Sequence, residues 1–253
     1  MRIDTLSTFP DMFSSVMGSS MMRIAREKGI LEFNAYDLRD WTHDRHRTTD
    51  DEPYGGGHGL VMKCGPLFEA TDELLAEGPR PHIVFLAPQG KRFDDDMALR
   101  LAEEERLLFV CGHYEGIDER AYTLADSVIS IGDYVLTSGE LAAMVVIDAV
   151  VRKLPGVLGA EEGAVDESFN GGLLEYPQYT RPADFRGMEV PAVLRSGDHG
   201  AVDTWRRQQS LERTLRLRPD LLEHAELDKD DVAFLKTLNE TPDEPRSDAP
   251  SGV

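Results

Sequence analysis

"SIGDYVLTSGELAAM", Ser130 to Met144, is the stretch that decides the fold. An apolar, β-branched run, Val128 to Ile131, stops at Gly132. A short polar bend follows, and a helix opens at Ser138-Gly139-Glu140. Thr137 with Glu140 three residues on is a capping-box pattern, apolar positions Leu141, Met144, Val145 and Ile147 continue to Val151, and the helix is expected to end near Pro155-Gly156. A strand running into a glycine-flanked bend before a helix is the place where α/β proteins hold ligands.

Working outward, strands and helices alternate. Ile3–Phe9, Leu31–Leu38, His82–Ala87 and Arg106–Cys111 read as strands. Pro10–Lys28, Pro66–Glu77, Phe93–Glu104 and Ile117–Ala125 read as helices, the first with Pro at its start and Gly29 as its stop. That alternation predicts an α/β fold with a mainly parallel sheet. Residues 39–59 are polar and glycine-rich and predict a long functional loop. Composition changes after Gly156, and an Arg-rich helical segment from Gly200 to Arg218 begins a small all-α part.

The chain has 253 residues and is 41% hydrophobic, enough for one large domain or two small ones. Its first residues lack the basic start and apolar core of a signal peptide. The longest apolar run, Leu141 to Val151, is too short for a membrane span of about 20 residues. Two cysteines, Cys64 and Cys111, make neither a disulfide framework nor a metal site. These features predict a soluble cytoplasmic protein without a membrane partner. The formal net charge of −20 argues, taken alone, against a nucleic-acid partner.

Three segments end strands with glycine: Leu86–Gly90 (LAPQG), Cys111–Arg120 (CGHYEGIDER) and Ile131–Glu140 (IGDYVLTSGE). In a parallel sheet their carboxyl ends lie on one side, so the loops can converge. Any one of them is an ordinary turn; three together point to a ligand. It is not a dinucleotide, because no G-x-G-x-x-G follows a strand and no Walker lysine is present. His43 and His46 flank Asp44 without a zinc spacing, so no metal site is predicted. Asp51–Lys63 carries Gly55, Gly56, Gly57 and Gly59, a low-bulk loop able to close over a flat ligand. Arg152 lies four residues after Asp148, which fits a helix ion pair or a clamp on an oxygen that gains charge. Arg206, Arg213 and Arg216 fall on one face of a helix, with Arg207 and Arg218 nearby, a local basic patch on an acidic chain.

Seven segments in order carry a resemblance: Asp40–Met62 (DWTHDRHRTTDDEPYGGGHGLVM), Leu86–Phe93, Cys111–Ala121, Ser130–Gly159, Ser168–Pro182 (SFNGGLLEYPQYTRP), Gly187–His199 and Trp205–Thr214. Together they resemble the bacterial tRNA (guanine-N1)-methyltransferase family, whose members are knotted SPOUT methyltransferases. The resemblance implies a deep trefoil knot, which periodicity would not suggest. It also implies an S-adenosylmethionine-binding catalytic domain at residues 1–160, a flexible linker at 161–180 and a helical tRNA-binding domain at 181–238; the polar, Pro-containing composition of 239–253 predicts a disordered tail. A homodimer with its active site at the subunit interface is implied too. The implied cofactor residues are Leu86, Ala87, Gly112, Tyr114, Glu115, Ile131, Gly132, Tyr134, Leu136 and Gly139. Mg²⁺ is a further implied cofactor, although no spacing in the sequence marks its ligands.

The implied reaction is methyl transfer to N1 of guanosine at tRNA position 37, beside the anticodon. A carboxylate would remove the N1 proton, and Arg152 would stabilise the charge growing on O6. The family places an aspartate directly before "SF"; here Glu167 holds that place and Asp166 precedes it, so both are candidate bases. Gly57, Gly59, Arg206, Arg213 and Arg216 are the implied substrate contacts. A small-molecule enzyme would explain the acidity, and an RNA-binding module the arginine face, but neither explains the seven ordered segments.

Overall fold

In the computed structural model, residues 1–158 and 167–240 are described. Contacts group into two compact units, Met1–Gly159 and Ala160–Val253.

The first unit is built on a five-stranded, wholly parallel sheet of β1 (Arg2–Ser7), β2 (Glu32–Asp37), β5 (His82–Arg92), β6 (Arg106–Cys111) and β7 (Ser127–Ser130). Their order is β2-β1-β6-β5-β7. A short hairpin, β3 (Asp50–Asp51) with β4 (Val61–Met62), lies outside it. The helices are α1 (Phe13–Met17), α2 (Ser20–Glu27), α3 (Cys64–Leu75), α4 (Asp95–Ala102) and α5 (Gly139–Val151). β6 is buried along its whole length, as a central strand covered on both faces must be. Its side chains alternate. Leu107, Phe109 and Cys111 join a core layer with Val146 and Val150 of α5, and Leu108 and Val110 join the opposite layer with Leu67 and Leu74 of α3.

Three expectations are corrected. The single helix over Pro10–Lys28 is a 3-10 turn, Pro10–Met12, followed by α1 and α2. The chain breaks at Gly18-Ser19, where Ser19 is extended, and Ser20 has φ +45°. The Leu86–Gly90 segment is not a loop beyond the strand. It is a bulge inside β5, because β7 pairs with Val84–Leu86, skips, and resumes at Lys91 and Arg92. The segment Ile117–Ala125 forms only a 3-10 turn, Glu119–Leu124.

The second unit holds a small hairpin, β8 (Asp184–Phe185) with β9 (Met188–Glu189), and the helices α6 (His199–Leu217) and α7 (Lys229–Glu240). Leu173 is buried, and the Leu174 N–H donates to Thr214 Oγ1 of α6. Arg207 is bound to the buried carboxylate of Asp231, at 2.6 Å, and donates to the Glu226 carbonyl. No described helix is long and apolar enough to cross a membrane. The expected tail, residues 239–253, begins two residues too early, because α7 runs to Glu240; the rest of it lies outside the described residues.

At the amino end of the sheet, Arg106 and Asp4 form an ion pair with both side chains fully buried, Nη2 to Oδ2 2.7 Å. Arg106 also donates to the carbonyls of Glu77 and Pro79. Breaking such a pair from one side leaves an uncompensated buried charge. Asp4→Leu is therefore expected to lower unfolding free energy by about 3–5 kcal/mol in urea titration. Arg23→Ala, which removes an exposed pair with Glu27, is expected to cost under about 1 kcal/mol.

Candidate active site

Three chain segments meet at the carboxyl side of the sheet. The β5 bulge, the loop after β6 and the bend between β7 and α5 enclose a cavity of about 400 Å³. Leu86 and Ala87 line it from the bulge. Gly112, Tyr114 and Glu115 line it from the loop after β6, and Ile131, Gly132, Tyr134, Leu136 and Gly139 from the bend. The structure thus brings all ten sequence-selected positions to one cavity.

Close backbone approach makes this possible. The Gly139 N–H donates to the Gly112 carbonyl at 2.8 Å. A Cβ on Gly139 would lie 2.6 Å from the Gly112 nitrogen, and one on Gly90 would lie 2.5 Å from the carbonyl carbon of Ile129. Both obstacles are backbone, so neither can move aside cheaply. The bend itself needs glycine for a different reason: Gly132 has φ +148°.

The glycine hairpin packs on the loop after β6 and supplies no lining residue of the cavity. Backbone bonds from Glu115 N–H to the Leu60 carbonyl and from Met62 N–H to the Gly116 carbonyl tie β4 to the loop after β6. Gly59 packs so closely on the Glu115 side chain that a Cβ would meet its Cγ at 2.4 Å. Gly57 sits in the same hairpin turn with φ +140°.

The expected capping box does not form. Ser138 is the N-cap of α5 and its side chain makes no capping bond. Glu140, fully buried, instead accepts from the Ser7 hydroxyl, which also receives the Phe9 N–H. A nearby core strand thus outcompetes the local cap. Cys111 is no nucleophile: burial, with the Glu140 charge behind it, pushes its thiol well above the ordinary value. Burial, with Asp50 adding to it, also raises the Tyr114 phenol. Glu115 and Glu119 are the charged side chains of the wall, which carries no Lys or Arg. Such a wall suits a cation and disfavours phosphate.

Arg152 is the C-cap residue of α5, in the first unit. Glu167 belongs to the second unit, where it lines a cavity of about 210 Å³ with Asn170, Tyr176 and Arg206. Asp166 lies outside the described residues. Arg206, Arg213 and Arg216 all lie on α6. Arg206 stacks its guanidinium 4.9 Å from the Tyr176 ring centroid, and Arg213 donates to the Glu175 carbonyl. His43 is exposed with its ring nitrogen against Glu69, and among the described residues no three His, Cys, Asp or Glu are placed to hold a metal ion.

The family model for tRNA (Guanine-1)-methyltransferase TrmD matches residues 1–224. The chain belongs to the tRNA (guanine-1)-methyltransferase family. It is therefore an enzyme, a methyltransferase. Proteins named tRNA (guanine-N(1)-)-methyltransferase resemble it along nearly its whole length. The one from Moorella thermoacetica is 54% identical over 242 residues, covering 94% of this chain and 97% of that protein. One from Bacillus cereus is 54% identical over 242 residues, covering 95% and 99%. One from Shouchella clausii is 53% identical over 239 residues, covering 94% and 98%.

In this methyltransferase, His113, Ser138, Gln89 and Tyr122 also line the cavity. Sequence reasoning passed over them although each sits within or beside a quoted segment, because it weighed glycines and apolar positions. Gly139→Ala is expected to cost about 1–3 kcal/mol in urea unfolding, as an overpacking substitution does. Gly65→Ala in α3, where a Cβ meets nothing within 4 Å, is expected to be neutral or stabilising by under about 1 kcal/mol.

Proposed function

We propose that the chain methylates N1 of guanosine at position 37 of tRNA, next to the anticodon, with S-adenosylmethionine as donor. The observation that carries this reading is the single cavity shared by the β5 bulge, the loop after β6 and the bend before α5 in a chain of this family. Its volume of about 400 Å³ is within the range of small-molecule sites. Its wall of backbone, apolar and neutral polar side chains and two glutamates, without Lys or Arg, fits an adenosine joined to a cationic sulfur. When bound, the cofactor supplies an electrophilic methyl group. Magnesium finds no comparable fit among the described residues, and no step below uses it.

The chain's own groups have three tasks. Backbone of the bend and the loop after β6 orients the nucleoside. The carboxylate of Glu167, or of Asp166, takes the N1 proton as the methyl arrives. The guanidinium of Arg152 donates to O6, where the negative charge grows. Gly57 and Gly59 leave room for the target base, and Arg206, Arg213 and Arg216 hold the RNA backbone. The same reading includes the trefoil knot, a first domain at 1–160, a linker at 161–180, a tRNA-binding domain at 181–238 and a cytoplasmic location. It also includes a homodimer with the active site at the subunit interface. Support for an interface comes from apolar side chains left exposed: Leu141 and Val145 on α5, and Val135 on the bend.

The reading is tested by incubating the protein with methyl-labelled S-adenosylmethionine and unmodified tRNA, then digesting and identifying the labelled nucleoside. N1-methylguanosine from position 37 is expected; label in another base, or none, contradicts it. In single-turnover assays, Arg152→Ala and Glu167→Gln are each expected to slow transfer severely, by about 10²-fold or more. The double variant should be little slower than the worse single one, because groups acting in one transition state lose non-additively. Changing Arg206, Arg213 and Arg216 together to Gln is expected to weaken tRNA binding. The slope of log affinity against log salt should then flatten by up to about 2–3. Cofactor affinity should stay unchanged in that variant.

A further inference from the structure

Resting on the reading of Glu167 as the base and deepening it, we infer that Arg207 and Asp231 are positioning residues for the reaction. Their ion pair braces, through Glu226, the turn that carries Glu167. The turn is the first observation. Phe169, Gly171 and Gly172 have φ of +77°, +64° and +77°. Glycine adopts that region freely, but a phenylalanine stays there only when the surrounding structure over-determines it. The turn is bonded to Glu167 itself: the Asn170 N–H donates to the Glu167 carbonyl, and the Gly172 N–H to the Phe169 carbonyl, each at 3.2 Å. A turn wound this way, with a strained phenylalanine in it, needs holding from outside.

One hold is α6, where Thr214 Oγ1 takes the Leu174 N–H. The second observation is the other hold, the chain leading into α7. The Glu226 N–H donates to the Gly171 carbonyl at 3.3 Å. Gly172 packs so closely there that a Cβ on it would meet the Ala225 Cα at 2.7 Å. Arg207 fixes this connecting chain in turn. Its Nη2 donates to the Glu226 carbonyl at 2.8 Å, and its fork takes both oxygens of Asp231, Nε to Oδ1 at 3.1 Å and Nη2 to Oδ2 at 2.6 Å. Asp231 is only 4% exposed and also accepts from the Asp228 N–H.

The placement of this pair separates positioning from simple stability. An ion pair that only joined α6 to α7 could lie anywhere along them. This one ends on the residue that bonds the turn, so a shift at Asp231 passes through Arg207, Glu226 and Gly171 towards Glu167. Arg207 also lines the cavity of about 210 Å³ that Glu167 lines. A general base must stand within hydrogen-bond reach of its proton, and a misplacement of about 1 Å costs a rate factor of about 100.

The test is single-turnover methyl transfer at saturating tRNA and S-adenosylmethionine, with the full chain. Arg207→Gln and Asp231→Asn are the variants, and melting temperature reports their folding. Each is expected to slow transfer about ten- to hundredfold, with the affinities for tRNA and S-adenosylmethionine unchanged. In a Glu167→Gln background, neither should slow transfer much further, because both act through that carboxylate. Arg207→Lys keeps a charge beside the buried carboxylate, which protects the fold if the other two variants do not fold. It loses the planar fork that spans Asp231 and Glu226, so it too should be slowed, but by less. Wild-type rates in the folded variants overturn the brace. Losses that multiply in full with Glu167→Gln overturn it as well, since they then arise elsewhere. Weaker tRNA binding with an unchanged saturated rate assigns Arg207 to the RNA and overturns it too. Full activity of Glu167→Gln, or no N1-methylguanosine from wild type, overturns the proposed function, and this inference with it.

Discussion

The contact between two glycines, Gly139 at the start of α5 and Gly112 at the end of β6, is the constraint on which the site depends. Their backbones are joined by a 2.8 Å hydrogen bond, and the gap leaves no room for a methyl group. Gly90 approaches Ile129 just as closely from the other side. These two approaches turn three separate segments into one continuous wall. They also account for a cavity lined by several glycines that lack any phosphate-cradling spacing. The glycines bring chain to chain rather than backbone to an anion, and the acidic wall has no cation for one.

Charge behaves in the same local way. A formal charge of −20 is a poor guide to an RNA partner, because contact is decided by which cations remain available. Arg207 is consumed by the buried Asp231, and Arg218 by Asp220. Arg206 lies on Tyr176 with Asp203 3.8 Å away, a loose pairing compared with the 2.6 Å of Arg207. A count of arginines on α6 therefore overstates its basic face, while the three proposed RNA contacts are among the less tightly paired.

Much of this architecture was legible in the sequence, for physical reasons. β6 was predicted at its observed bounds, Arg106–Cys111, because an unbroken apolar run of that length is what a doubly covered parallel strand requires. The α5 helix was visible from its apolar spacing, and it ends at Val151, a few residues before the expected stop near Pro155-Gly156. What escaped was everything settled by contacts remote in sequence. The β5 bulge depends on how β7 re-pairs beyond it. The capping box failed because Ser7, 133 residues away, takes the Glu140 carboxylate. At the site, glycine and apolar positions announced themselves by type. Ser138 and His113, which also line the cavity, looked ordinary by type.

If the three segments act as one cofactor site, a ligand must steady them together. Hydrogen–deuterium exchange measured with and without S-adenosylmethionine tests this directly. The account predicts slowed exchange in residues 86–92, 111–117 and 131–142 at the same ligand concentration, with α6 unchanged. Protection confined to one of the three segments, or appearing only in α6, would contradict it.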